Sequence, residues 1–120
     1  MDRETTFEDV KVKIQKFCSD RDWDQFHGAK DLAIGLITES SELLEHFRFK
    51  SEEQVREMFN SEKKRAEISH ELADTLFFVL RFAQKFNIDL SEALRDKMER
   101  NAQRYPIEKA KGRNSKYDEL

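Results

Sequence analysis

Apolar side chains recur along this chain at steps of three and four, the rhythm of one face of an α-helix. In the first block Phe7, Val10, Ile14, Phe17 and Cys18 follow it, and Thr5-Thr6-Phe7-Glu8 offers a capping box just before. The stretch from Ser19 to Lys30 is polar but carries Trp23, Phe26 and His27; rings of that size are hard to leave in water, so an ordered loop is expected. A second helix is predicted from about Asp31 to Phe47, with Leu32, Leu36, Leu43 and Phe47 on one arc. Ser51-Glu52-Glu53-Gln54 is another capping box and opens a short helix to about Phe59. Ser61 then caps the longest helix, Glu62 to Phe86. Asp89-Leu90-Ser91-Glu92 caps the last, which stops near Tyr105 because Pro106 disfavours helix at the residue before it. Residues 107–120 are expected to form an irregular tail with a basic stretch. The pattern predicts an all-α fold, a bundle of four to five helices in a single domain spanning 1–120.

Composition narrows this further. One Pro and three Gly in 120 residues leave too little turn material for many short strands. No apolar run approaches the roughly 18 residues of a membrane span. Met1-Asp2-Arg3-Glu4 lacks the apolar stretch of a signal peptide, so no membrane partner is expected. The single Cys18 cannot form an internal disulfide, which fits a reducing, cytoplasmic setting. Lys and Arg number 22 against 25 Asp and Glu; a net charge of −3 provides no basic footprint for a nucleic-acid polymer.

Most of the acidic residues need no explanation, because helices in water carry them. Two pairs stand out. Glu39 and Glu42 lie three apart on the second helix, and Glu71 and Asp74 three apart on the longest. Each pair therefore occupies one narrow stripe. From Leu72 to Ala83 only Asp74, Thr75 and Arg81 are polar, so Asp74 is expected to point into protein or a cleft. Gly35 precedes Glu39 by one turn and leaves room for something to approach the helix closely. A lone Glu-x-x-Glu is ordinarily a solvated pair. Two such pairs on antiparallel neighbours would converge, and ionised carboxylates a few ångströms apart repel by several kcal/mol at an effective dielectric near 20. They must take up protons or share a cation. An all-oxygen set favours a hard ion, Mg²⁺ or Mn²⁺. A di-iron centre would need Glu-x-x-His on two helices; His46 and His70 lie off that pattern, which disfavours iron.

Glu39-x-x-Glu42, followed about 30 residues later by Glu71-x-x-Asp74, resembles the metal motif of the MazG-type all-α nucleoside triphosphate pyrophosphohydrolases. Arg21-Asp22-Trp23-Asp24-Gln25-Phe26-His27 is similar to the segment before the metal helix in the dCTP pyrophosphatase group. Glu42 to Lys50, Lys97-Met98-x-x-Asn101-x-x-Arg104-Tyr105-Pro106 and Lys116-Tyr117 extend the likeness over about Phe7 to Leu120. The resemblance implies cleavage of a (deoxy)nucleoside triphosphate between the α- and β-phosphates, giving monophosphate and pyrophosphate in nucleotide-pool cleaning. It implies Mg²⁺, with Mn²⁺ as a substitute, held by Glu39, Glu42, Glu71 and Asp74. Glu42 or Glu39 would accept the proton of the attacking water, and Glu45 would be a further ligand or support one. Trp23, His27, Phe49 and Phe78 would line the base and sugar pocket, and Lys97, Asn101 and Arg104 would meet phosphate or sugar.

The chain departs from that group at three positions. Phe49 stands where Trp is usual, Phe78 where Tyr is usual, and Ile14 where a polar ring is expected. Two other readings remain at this level: a non-catalytic nucleotide-binding or helical interaction module, and an enzyme like phosphoribosyl-ATP pyrophosphohydrolase, against which the Trp23–His27 segment argues. Arg81 and Lys85 would reach phosphate or pair with acids. The longest helix is too apolar to be covered by one layer of neighbours, so an oligomer is expected; the resemblance implies a homotetramer, a dimer of dimers.

Overall fold

The hydroxyl and carboxylate caps foreseen in the sequence delimit most of the helices. The computed structural model describes residues 1–120 and contains no strand. Helix α1 spans Phe7–Ser19, α2 Ala29–Glu45, α3 Glu52–Met58, α4 Glu62–Lys85, α5 Leu90–Arg104 and α6 Ile107–Ala110, with 3-10 turns at Asp24–Phe26 and Tyr117–Glu119. The all-α expectation holds. The first capping box forms one residue later than read: Thr6 accepts from the Asp9 amide and Asp9 reciprocates. Ser51 and Gln54 form the second box as expected. Ser61 and Asp89 cap α4 and α5. Helix α2 begins two residues before Asp31, at Ala29 with Gly28 as its N-cap, and ends at Glu45, before Phe47. Residues 107–120, expected to be irregular, carry α6 and a 3-10 turn.

The chain falls into two units, Met1–Asn87 and Ile88–Leu120. In the first, α4 is the central element, with α2 and α1 packed against it. Ile14 and Cys18 of α1, Leu32 of α2, Met58 of α3 and Ile68, Leu80 and Ala83 of α4 form the buried core. Gly35 meets Phe78, while Glu42 and Glu71 come together further on; positions advance along α2 as they retreat along α4, so the two run antiparallel. In the second unit α5 buries no residue. Its end is tied to the tail by rings: Tyr105 and Tyr117 lie edge to face at 6.1 Å, and the Arg104 guanidinium sits 4.7 Å over Tyr117.

The close approach that Gly35 permits is made by the ring of Phe78. A Cβ at position 35 would lie 2.3 Å from Phe78 Cε1 and 2.6 Å from Cδ1, inside any real contact. The missing side chain therefore sets how closely α2 and α4 pack. Gly35→Ala should reverse the usual order of helix propensity. Ala normally gains up to about 1 kcal/mol over Gly in a helix interior, but overpacking costs about 1–3 kcal/mol. Urea unfolding should show a net loss, recovered when Phe78→Leu is added. A gain in stability for Gly35→Ala alone would contradict this packing.

Candidate active site

The antiparallel pairing of α2 and α4 turns the two carboxylate stripes toward one another. Ligand oxygens of Glu39, Glu42 and Glu71 lie within 4.8 Å of one another. Nearby hydroxyls do not compete for the site, because Thr38, Ser40 and Ser41 each donate to a carbonyl one turn back in α2. At that spacing each ionised pair repels by about 3–4 kcal/mol at an effective dielectric near 20. Burial, a hydrogen bond shared with Glu42, and the charges of Glu42, Asp74 and Glu71 push Glu39 up to about 7. Glu71 Oε2 is buried without a hydrogen-bond partner, and its Oε1 lies 3.7 Å from His46 Nε2. A hard divalent cation fits this set: it needs several oxygens, and an orphaned buried carboxylate oxygen needs a partner. Asp74 differs from expectation. It is exposed, not turned into protein, and lies outside the three-carboxylate group, although its charge still reaches Glu39.

A cluster of rings gathers around Phe78, where it packs on Gly35. Trp23 meets Phe17 edge to face at 5.7 Å and lies 6.1 Å from His27; Phe17 meets Phe77 at 6.1 Å, and Phe77 meets Phe78 at 5.5 Å. Trp23, His27 and Phe78 thus belong to one continuous cluster. Phe49 does not join it. It adopts a left-handed backbone, φ 63°, and its ring is 91% exposed beneath the Arg48 guanidinium. Lys97, Asn101 and Arg104 all lie on α5, in the second unit. Ile14 is in the core and offers no hydrogen bond.

Arg81 and Lys85 are directed to the loop and not to the carboxylates of the seam. The Arg81 side chain is 0% exposed. It donates to Asp24 and Gln84, and its Nε donates to His27 Nδ1 at 3.0 Å. Lys85 Nζ donates to the Asp24 carbonyl at 2.8 Å. The guanidinium holds the Asp24 carboxyl below its usual range. His27 is lowered by burial, then by Arg81 and Lys85. Because Arg81 can only donate, Nδ1 accepts, and the neutral ring carries its proton on Nε2. Burial pushes the Cys18 thiol up, which makes it a core group and not a nucleophile. Asp24 was legible only as part of the Arg21–His27 segment, since its partner is 57 residues away in the chain.

Residues 36–120 match the model of the MazG-like family, and the chain belongs to that family. It is 36% identical to dCTP pyrophosphatase 1 of Mus musculus over 117 residues, 98% of this chain and 69% of that protein. The Homo sapiens protein of the same name is 35% identical over the same shares. Among solved structures, a pyrophosphatase from Archaeoglobus fulgidus DSM 4304 superposes with a TM-score of 0.77 at 32% identity, covering 82% of this chain and 91% of that one. No helix is long and apolar enough to cross a membrane.

The raised pKa of Glu39 makes the metal-free protein sensitive to pH. Its carboxyl ionises near 4.5 when unfolded and near 7 when folded. The stability linked to its proton is fully present below about 4.5 and is lost as pH rises through about 7. His27, with a lowered folded pKa, acts in the opposite direction, so the comparison needs Glu39→Gln. Between pH 5 and 8, in chelator, the wild type should lose about 3–8 °C of Tm relative to Glu39→Gln. Parallel Tm profiles for the two proteins would contradict the repulsive cluster.

Proposed function

We propose that this chain, a pyrophosphohydrolase of the MazG-like family, cleaves a deoxynucleoside triphosphate to monophosphate and pyrophosphate in a Mg²⁺-dependent reaction, with Mn²⁺ as a substitute. The observation that carries this is the orphaned Glu71 oxygen within a trio of carboxylates, one of them, Glu39, raised to about 7 by its neighbours. Glu39, Glu42 and Glu71 would hold the cation, with Asp74 at the margin. Bound there, a divalent ion supplies charge neutralisation at the phosphates and acidifies water beside the α-phosphorus. Glu39 or Glu42 accepts the proton of the attacking water. Trp23 and Phe78 offer ring faces to a base, and the Nε2–H of His27 is a fixed donor for base or sugar. By resemblance to the family's motifs, Lys97, Asn101 and Arg104 would meet phosphate or sugar, and Phe49 would stack on the base.

The names of the relatives support dCTP as the first substrate to test. Phe78 and Ile14 supply no polar ring, so the base is gripped by stacking more than by hydrogen bonds, and tolerance of other bases follows. The proposal takes residues 1–120 as one functional domain acting in the cytoplasm, and a homotetramer, a dimer of dimers, as the working assembly. Support for the assembly comes from Ile37, 68% exposed, and from Leu72 and Leu76, 57% and 48% exposed, on the two helices that carry the carboxylates.

The test is a panel of canonical and modified deoxynucleoside triphosphates with Mg²⁺, scoring pyrophosphate separately from phosphate. It is run on material whose light-scattering mass is known. Pyrophosphate should appear from dCTP and from at least one other base, in a fraction of four-chain mass. Glu71→Gln and Glu39→Gln should each lower kcat/KM by at least about 100-fold while circular dichroism stays helical. Full activity in both variants would sink the mechanism, and activity confined to a monomer would sink the assembly.

A further inference from the structure

The α2–α4 seam has a chemical polarity. Its aromatic end is where Phe78 packs on Gly35, beside Trp23 and His27. About 10 Å further along α2, at seven residues and 1.5 Å each, comes Glu42, opposite Glu71. Beyond these carboxylates opens a cleft of about 420 Å³ lined by Glu42, Glu45, His46, Lys50, Lys64 and Glu71. Its one ring is the imidazole of His46, whose Nε2 faces Glu71 at 3.7 Å, and its two lysines come from different elements: Lys50 follows α2 and Lys64 lies in the first turn of α4.

We infer that this cleft receives the pyrophosphate half of the substrate, with Lys50 and Lys64 as its counter-charges. The inference rests on the function proposed above and adds the direction in which a nucleotide lies and the residues that hold its far end. The cleft shares Glu42 and Glu71 with the carboxylate trio, so a group within it is continuous with one at the cluster. A diphosphate beside three acids is repelled unless cations face it, and the two lysines are the permanent cations of the lining. Lysine meets phosphate as a mobile point charge and needs no preset fork. Lys64 is engaged now only with Glu67, at 3.1 Å one turn along an exposed helix face; such pairs are weak, so it can turn into the cleft at little cost. A base suits the opposite end, where the larger rings of Trp23 and Phe78 are; here it meets three glutamates and two lysines, with the His46 imidazole turned to Glu71.

The experiment is calorimetric titration of the full chain with inorganic pyrophosphate and, separately, with dCMP, both with Mg²⁺ present. Wild type, Lys50→Gln, Lys64→Gln and the double variant are compared. Both lysines are exposed, so folding should survive, with circular dichroism as the control. The double variant should bind pyrophosphate about ten- to a hundredfold more weakly, with dCMP affinity unchanged. Undiminished pyrophosphate binding in the double variant, equal losses for both ligands, or no pyrophosphate binding by the wild type would each overturn the assignment. If the wild type binds pyrophosphate and loses that binding in the double variant, yet releases none from any triphosphate, the functional reading fails and the cleft assignment stands.

Discussion

Three carboxylates are held within 4.8 Å of one another because the helices bearing them are locked together elsewhere. That enforced repulsion is the constraint on which the rest of the site depends. The lock is Phe78 seated on the bare backbone at Gly35, one turn from Glu39, together with a core of Leu32, Leu80 and Ala83. Helix packing fixes the acids, the acids raise Glu39, and the resulting excess of negative charge creates the demand for a cation. Apolar burial of a few side chains, each contributing about 1.5–3 kcal/mol, supplies the force that opposes the repulsion.

The loop before α2 is anchored by a different device. Arg81 is fully buried and reaches from α4 to Asp24 and His27. A buried guanidinium is tolerated only when its donors are used, and Asp24, His27 and Gln84 take them. In doing so it fixes the tautomer of His27 and holds the segment that carries Trp23. Arg81 and Lys85, which follow Asp74 along α4, are therefore structural. The lysines that line the cleft beside the carboxylates are Lys50 and Lys64.

Helix positions were readable because period and caps are local. Ser51 with Gln54, Ser61 and Asp89 act as caps where their spacing predicts. Thr5 and Thr6 are adjacent and equally suited by type, so the first box slid to Thr6–Asp9. The carboxylate pairs were legible as stripes, and Gly35 as a gap. What filled the gap was not legible, since nothing local links residue 35 to residue 78. The Arg81–Asp24 pair spans 57 residues and was hidden for the same reason. The exposure of Asp74 was not legible, because a helix apolar nearly all round suggests burial all round, whereas Asp74 is exposed. Leu72 and Leu76 remain exposed in the chain on its own.

The central claim is that a divalent cation relieves the repulsion among these acids. Glu39, raised to about 7, is protonated in a large fraction of molecules at neutral pH, and a cation must displace that proton to bind. Calorimetric titration with Mg²⁺ at pH 7, in two buffers of different ionisation enthalpy, measures the displaced proton directly. The account predicts binding with release of about half a proton per chain, and no release in Glu39→Gln. Mg²⁺ binding with no proton released by the wild type, or no binding at millimolar concentrations, would contradict it.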